Sequence, residues 1–221
     1  MIYLFSLFAI IFPFMPITTN VIAPDNTEVI FKDKHSITKQ ELAAIMLVDT
    51  SNISDKSLED FNLTMDLFDF TRINIAYFLG QAGHESGGLK HAVEVHNGSR
   101  YEWRRDLGNI HRGDGVLYAG GGYLQLTGRA NYTNFYKYLK SKGIDDPKIL
   151  SHGKHHVATH YPWTSGAWWW FANDMISYCE KRPTVQQVSA KVNGKYWPNG
   201  LRDRQLYSQR AFNVLNLPYP G

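Results

Sequence analysis

The chain of 221 residues carries a single cysteine, Cys179. An intramolecular disulfide, a zinc–thiolate cluster and a CxxC redox pair are therefore all excluded. No Lys, Arg, Asp or Glu precedes Asp25. Internal repeats and low-complexity tracts are absent, as are GxGxxG spacing and any Gly-Lys-Ser/Thr phosphate loop. Neither sign of charge is in large excess: 23 Lys and Arg face 20 Asp and Glu, and the net charge of +3 is too small to mark a nucleic-acid surface. What is present is apolar and aromatic. With 43% hydrophobic and 19% charged residues, a disordered chain is ruled out. Aromatic residues make up 14%, more rings than a core of one domain obviously needs.

The uncharged amino terminus is almost wholly apolar from Ile2 to Pro16. That run is short for a membrane span, and Pro13 and Pro16 would interrupt a helix. The pattern predicts a signal peptide over residues 1–23, cut between Thr18 and Asp25, and then an N-terminal segment over 24–37. No Lys or Arg precedes the apolar run and Pro24 is an awkward cleavage neighbour, so an uncleaved anchor or a buried N-terminal segment stays open. Sequons stand at Asn52, Asn62, Asn97 and Asn131.

Helical signals dominate the rest, and the expected fold class is mainly α. Thr38-Lys-Gln-Glu41 has capping-box spacing and opens an apolar-rich helix to Val48. Leu58, Phe61, Met65 and Phe68 recur at helical spacing. Thr71 caps a third helix with Ile73, Ala76, Tyr77 and Gly80 on one stripe, ended by Gly87-Gly88. Residues 91–126 are rich in Gly, Asn and Asp and read as loops and short strands. Tyr132–Leu139, Trp163–Met175, Thr184–Val192 and Leu201–Leu215 supply four more helices.

Glu85 falls in the last turn of the third helix. Unpaired carbonyls give that end of a helix about half a negative charge, a setting in which a carboxyl group can serve as a general acid. An ordinary surface glutamate is the plain alternative. Glu94 follows nine residues on, and two carboxyl groups permit a division of labour in which one protonates a leaving oxygen and the other activates a water. In the run from Tyr118 to Tyr132, Gly120-Gly-Gly122 lets backbone approach a ligand, while Gln125, Thr127 and Asn131 offer neutral donors and acceptors suited to sugar hydroxyls and amides. A glycine-rich turn leading into a helix is the alternative.

Together these pieces resemble glycoside hydrolase family 19, the chitinase and endolysin-like family with a lysozyme-like helical fold. The resemblance rests on Gln81-Ala-Gly-His-Glu-Ser-Gly-Gly88. It continues through Tyr101-Glu102, Asp106-Leu-Gly-Asn109 and Gly113-Asp-Gly115 into Gly122-Tyr-Leu-Gln-Leu-Thr-Gly128 and Asn131-Tyr132. It closes on Val192-Asn-Gly194, Gly200-Leu and Asp203-Arg204. It spans about residues 38–217, the expected catalytic domain, and implies a two-lobed molecule with loops and short strands lining a cleft. By the resemblance Glu85 is the general acid and Glu94 the general base, with Glu102 its rival. Thr127 helps hold the attacking water, His84, Tyr123, Gln125, Asn131 and Asn193 contact sugar, and Arg204 pairs with a catalytic carboxylate. The implied reaction is inverting cleavage of β-1,4-linked N-acetylglucosamine polymers, which needs carboxyl groups roughly 6.5–9.5 Å apart.

Three departures stand out, one of them that a single cysteine cannot provide the disulfides of the plant members. Gly121 replaces the family's usual arginine, and Lys195 follows Gly194 where a second glycine is usual. Chitin is the first expected substrate and peptidoglycan the second. An inactive chitin-binding protein and a lytic transglycosylase are the rival functions. No cofactor, metal, nucleic-acid partner or lasting membrane association is expected, and the product is a secreted monomer. His152, His155, His156 and His160 form a cluster read as a solvated polar loop rather than a zinc site. Most of Trp168–Phe171 is expected in the core, leaving Trp103, Tyr123 and Trp197 as candidate cleft rings.

Overall fold

The computed structural model describes residues 36–221; the expected signal peptide and most of the following segment lie outside the described residues. Eleven α-helices occur among them. They are α1 (Lys39–Met46), α2 (Asp55–Phe68), α3 (Arg72–Glu85), α4 (Asp114–Leu117), α5 (Arg129–Ser141) and α6 (Lys148–Ser151), then α7 (Gly153–His160), α8 (Thr164–Ala172), α9 (Met175–Glu180), α10 (Val185–Asn193) and α11 (Leu201–Val214). None is long and apolar enough to cross a membrane.

Local sequence explains several starts and stops. Thr38 and Thr184 form complete capping boxes with Glu41 and Gln187, each satisfying orphan N–H groups at a helix start. Thr71 caps α3 through Asn74 N–H. α3 ends at Glu85, and Gly87 and Gly88 take positive φ to turn the chain away.

α3 lies at the centre of the fold, against α1, α8, α9, α10 and α11, and from Asn74 to Gly83 every side chain is buried. A helix covered on most sides is polar only where it has a partner. Its approach to α11 is set by two glycines. A Cβ on Gly80 would fall 2.1 Å from Ser208 Oγ, and one on Gly83 would fall 2.3 Å from the Tyr207 ring. Only hydrogen fits there, so α11 lies close enough for side chains one turn earlier to reach the end of α3.

The rings fill the space around this pair. Trp163 and Trp170 are fully buried, and Phe78 meets both, edge-on to Trp170 at 5.5 Å and tilted to Trp163 at 6.2 Å. Each such side chain contributes about 1.5–3 kcal/mol by leaving water. Trp168 and Trp170 are core and Phe171 is 40% exposed, in line with the expectation for that run.

Three expectations are corrected. Residues 91–126 form no strand: two isolated bridges, Val93–Gly121 and Gly121–Leu126, take the place of the expected short strands. The helix expected over Trp163–Met175 is two helices, because Asp174 adopts φ +54° between α8 and α9. The histidine cluster lies on α7 and the turn before it rather than in a solvated loop. His156 is buried, 2.7 Å from Asp146 Oδ2, and its ring stacks on His160 at 4.1 Å.

Candidate active site

Glu85 closes α3 at 9% exposure, and Arg204 of α11 is 1% exposed. The Arg204 guanidinium is divided three ways. Nη2 donates to Glu85 Oε1, Nη1 donates to Gln81 Oε1 at 2.7 Å, and Nε donates to the Asn199 carbonyl at 3.0 Å. Gln81 lies one turn before Glu85 and passes the network on, its Nε2 donating to Ser189 Oγ of α10 at 3.1 Å. A buried arginine with a carboxylate and neutral acceptors in fixed places is a pair whose loss leaves an uncompensated charge. Glu85 Oε2 is the oxygen that Arg204 leaves unclaimed.

Glu94 sits in the loop layer, its side chain 12% exposed. Oε1 accepts from Arg100 Nη2 at 2.6 Å and from the Tyr101 hydroxyl at 3.1 Å, while Oε2 accepts from Gly120 N–H at 3.0 Å. Glu94 N–H returns a bond to the Gly120 carbonyl at 2.9 Å. Three donors occupy three of about four acceptor positions on a carboxylate, leaving room for one more.

The rival Glu102 is differently placed. Its two oxygens accept the N–H groups of Gly113 at 2.6 Å and Gly115 at 2.8 Å, which ties down the loop opening α4. Asp114 anchors the same loop to α5 through Arg129. Burial pushes the Asp114 carboxyl up, but Arg129 and the amides of His111 and Ile110 together outweigh it and hold it below the usual carboxylate range.

Gln125, Thr127 and Asn131 form one hydrogen-bonded chain. Thr127 Oγ1 donates to the Gln125 carbonyl at 2.8 Å and Asn131 Nδ2 donates to the Thr127 carbonyl at 2.8 Å. Gln125 Nε2 donates to the carbonyls of Gly122 at 2.9 Å and His91 at 3.3 Å, which fastens this turn to the segment leaving α3. Its amide hydrogens are thus engaged in holding the turn. Thr127 has given its own hydrogen away, so its oxygen remains an acceptor.

His84 contacts Asp203 at 2.7 Å beside Arg204. Asn193 Oδ1 accepts from Asn199 N–H at 3.0 Å and closes the loop between α10 and α11. Tyr123 is not an open ring. It is 8% exposed, stands edge-on to Trp163 at 4.4 Å, and burial raises its hydroxyl pKa above the ordinary value. Trp103 and Trp197 are 59% and 69% exposed.

Gly121, where an arginine was expected from the family pattern, has a packing reason. A Cβ there would lie 2.6 Å from the Tyr132 hydroxyl and 3.0 Å from Lys154 backbone atoms. No side chain fits unless α7 moves. Sequence reasoning missed Gln81, Arg100, Tyr101 and Asn199 as parts of the two carboxylate clamps. Only Gln81, one helical turn before Glu85, carried a signal in its spacing. Among the described residues no group of three or more His, Cys, Asp or Glu is placed to hold a metal ion.

No family model matches the chain. It is 26% identical over 160 residues to a glycosyl hydrolase family 19 domain-containing protein of Haemophilus influenzae, covering 58% of this chain and 74% of that protein. In fold it is similar to chitinase C from Streptomyces griseus, with a TM-score of 0.63 at 15% identity over 86% of this chain and 97% of that one. A bacterial family 19 chitinase gives 0.60 at 16% identity, over 84% of this chain and 98% of that one. A class IV family 19 chitinase from Zea mays gives 0.51 at 16% identity, over 85% of each chain. The chain therefore has the mainly α, lysozyme-like fold of these chitinases, and it resembles family 19 in sequence as well.

Proposed function

We propose that this chain, similar to glycoside hydrolase family 19 in sequence and alike in fold, is a secreted hydrolase of β-1,4-linked N-acetylglucosamine polymers that works by inversion. The observation that carries the reading is the pair of clamped carboxylates: Glu85, held by Arg204 on one oxygen only, and Glu94, held by three donors with one acceptor position left. Chitin is the preferred substrate, with peptidoglycan the alternative polymer.

The mechanism follows from which atoms are committed. In the form of the complex that reacts, Glu85 has taken up a proton on Oε2 and gives it to the glycosidic oxygen as the bond to the anomeric carbon breaks. Arg204 then faces the carboxylate so formed, so its charge stabilises what develops in the transition state rather than what precedes it. A water enters from the opposite face of the sugar. Glu94 takes its proton through the remaining acceptor position, and Thr127 Oγ1 accepts the water's other hydrogen, having donated its own to Gln125. The oxygen that attacks becomes the new anomeric hydroxyl, with inverted configuration. Glu94 is preferred to Glu102 because its Gly120 anchor belongs to the turn that carries Thr127, whereas Glu102 holds the loop before α4.

Side-by-side digestion of chitin oligomers and peptidoglycan by wild type and Glu85→Gln tests the reading. Cleavage of the chitin oligomer, lost in Glu85→Gln, is expected. Cleavage of peptidoglycan alone would move the substrate to the bacterial wall. An anhydro-sugar product would identify a lytic transglycosylase, and binding without cleavage by wild type would identify an inactive lectin-like protein.

A further inference from the structure

Tyr196 and Trp197 are 77% and 69% exposed, among the most exposed large hydrophobic residues described, and they are neighbours in one loop. Their rings meet edge-on at 5.2 Å and 87°. Two large rings held out in water are costly unless something covers them.

The loop that carries them is not a loose tip. It runs from the end of α10 to the start of α11, and three contacts fix it. Asn193 Oδ1 accepts from Asn199 N–H, the Asn199 carbonyl accepts from Arg204 Nε, and Pro198, next to Trp197, is buried. Arg204 is the residue that holds Glu85, so Trp197 and Tyr196 stand two and three residues along the backbone from an atom bonded to the acid's own clamp. A ring pair on an anchored loop beside a site that handles sugars is placed to stack on a pyranose ring, whose axial C–H face is apolar and whose hydroxyls point outward to water.

We propose that Tyr196 and Trp197 form an outlying subsite that stacks on an N-acetylhexosamine ring of the polymer beyond those held at the point of cleavage. The proposal rests on the sugar-polymer reading above and extends it to chain-length preference. A long oligomer reaches both the cleavage point and the ring pair, and a short one reaches only the first. The subsite therefore contributes to long ligands alone.

The test is calorimetric binding of a chitin hexamer and a chitin trimer to the full chain carrying Glu85→Gln, with and without Tyr196→Ala and Trp197→Ala, and with Trp197→Phe as the ring-preserving control. The hexamer is expected to bind about tenfold more weakly for each ring removed. The trimer should be unchanged, and Trp197→Phe should recover most of the loss. Equal losses for both oligomers, or none for either, would overturn the subsite. So would a ring pair that proves to be covered otherwise: a dimer in solution that the two alanines dissociate, or binding to lipid vesicles that they abolish. Failure of wild type to cleave any chitin or peptidoglycan oligomer is a separate result, since it removes the underlying reading rather than the ring pair.

Discussion

The two carboxylates at the candidate site are held in opposite ways. Glu85 belongs to the helical core and is restrained from far along the chain, by an arginine 119 residues away that is almost fully buried. Glu94 belongs to the loop layer, where Arg100 and Tyr101 lie six and seven residues away and only Gly120 comes from a later segment. Its arginine is 43% exposed. The acid's clamp is therefore part of what holds α3 to α11, whereas the base's clamp is a local device on a surface loop. Asp60 supplies a third case, a buried carboxylate served by neutral donors. It accepts N–H groups from Trp163 at 2.7 Å and Thr164 at 3.3 Å and so caps α8 from a neighbouring helix. Burial dominates there and pushes its carboxyl up to about 7.

These differences set how each site breaks. The largest effect is on turnover. Glu94→Gln should lower kcat by about 10²–10⁴-fold while the fold is retained, because a loop clamp is lost and the core is untouched. An unfolding midpoint that falls along with activity would contradict the separation. Next is Arg204→Ala, which leaves Glu85 buried and unpaired. It should destabilise the protein by about 3–5 kcal/mol in urea titration, a cost absent if the pair were a surface ornament.

The third effect is a pH dependence. The Asp60 carboxyl has a folded-state pKa above its unfolded one, near 4, so protonation favours the fold. Its contribution is fully present below about pH 4 and is lost as pH rises through about 7. Stability measured against pH should carry this downward slope in wild type, and Asp60→Asn should remove it. The smallest effect is Arg100→Gln. An ion pair this exposed is worth at most about 1 kcal/mol, so stability should barely change. The sharper readout is kcat, which should fall because Glu94 Oε1 loses one of the two donors that orient it; an unchanged kcat would show that Arg100 does not act on the base.

Much of the scaffold was legible because it is written locally. Thr38, Thr71 and Thr184 announce helix starts through bonds to residues three positions on, and periodic Phe61, Met65 and Phe68 mark a buried face. α7 was not legible, since its buried face is Lys154, His156 and Val157. The first two are buried with acceptors supplied from outside the helix, by Asn97 far back in the sequence and by Asp146 ten residues before His156. Asp174 likewise breaks the aromatic helix by a left-handed turn that its composition does not advertise. At the site, Glu85 could be placed at a helix end from sequence, but its union with Arg204 came from family resemblance and not from spacing. Tyr123 was misread for a physical reason: its glycine neighbours suggested an open loop, yet the turn folds that ring inward onto Trp163.

The division of labour between the two clamped carboxylates is tested most directly by the anomeric form of the first product. Proton NMR of a chitin hexamer, recorded within the first turnovers and before mutarotation, should show the new reducing end as the α anomer. Initial β product would mean that water does not attack from Glu94's side, and the account of an acid and a base acting on opposite faces of the sugar would be wrong.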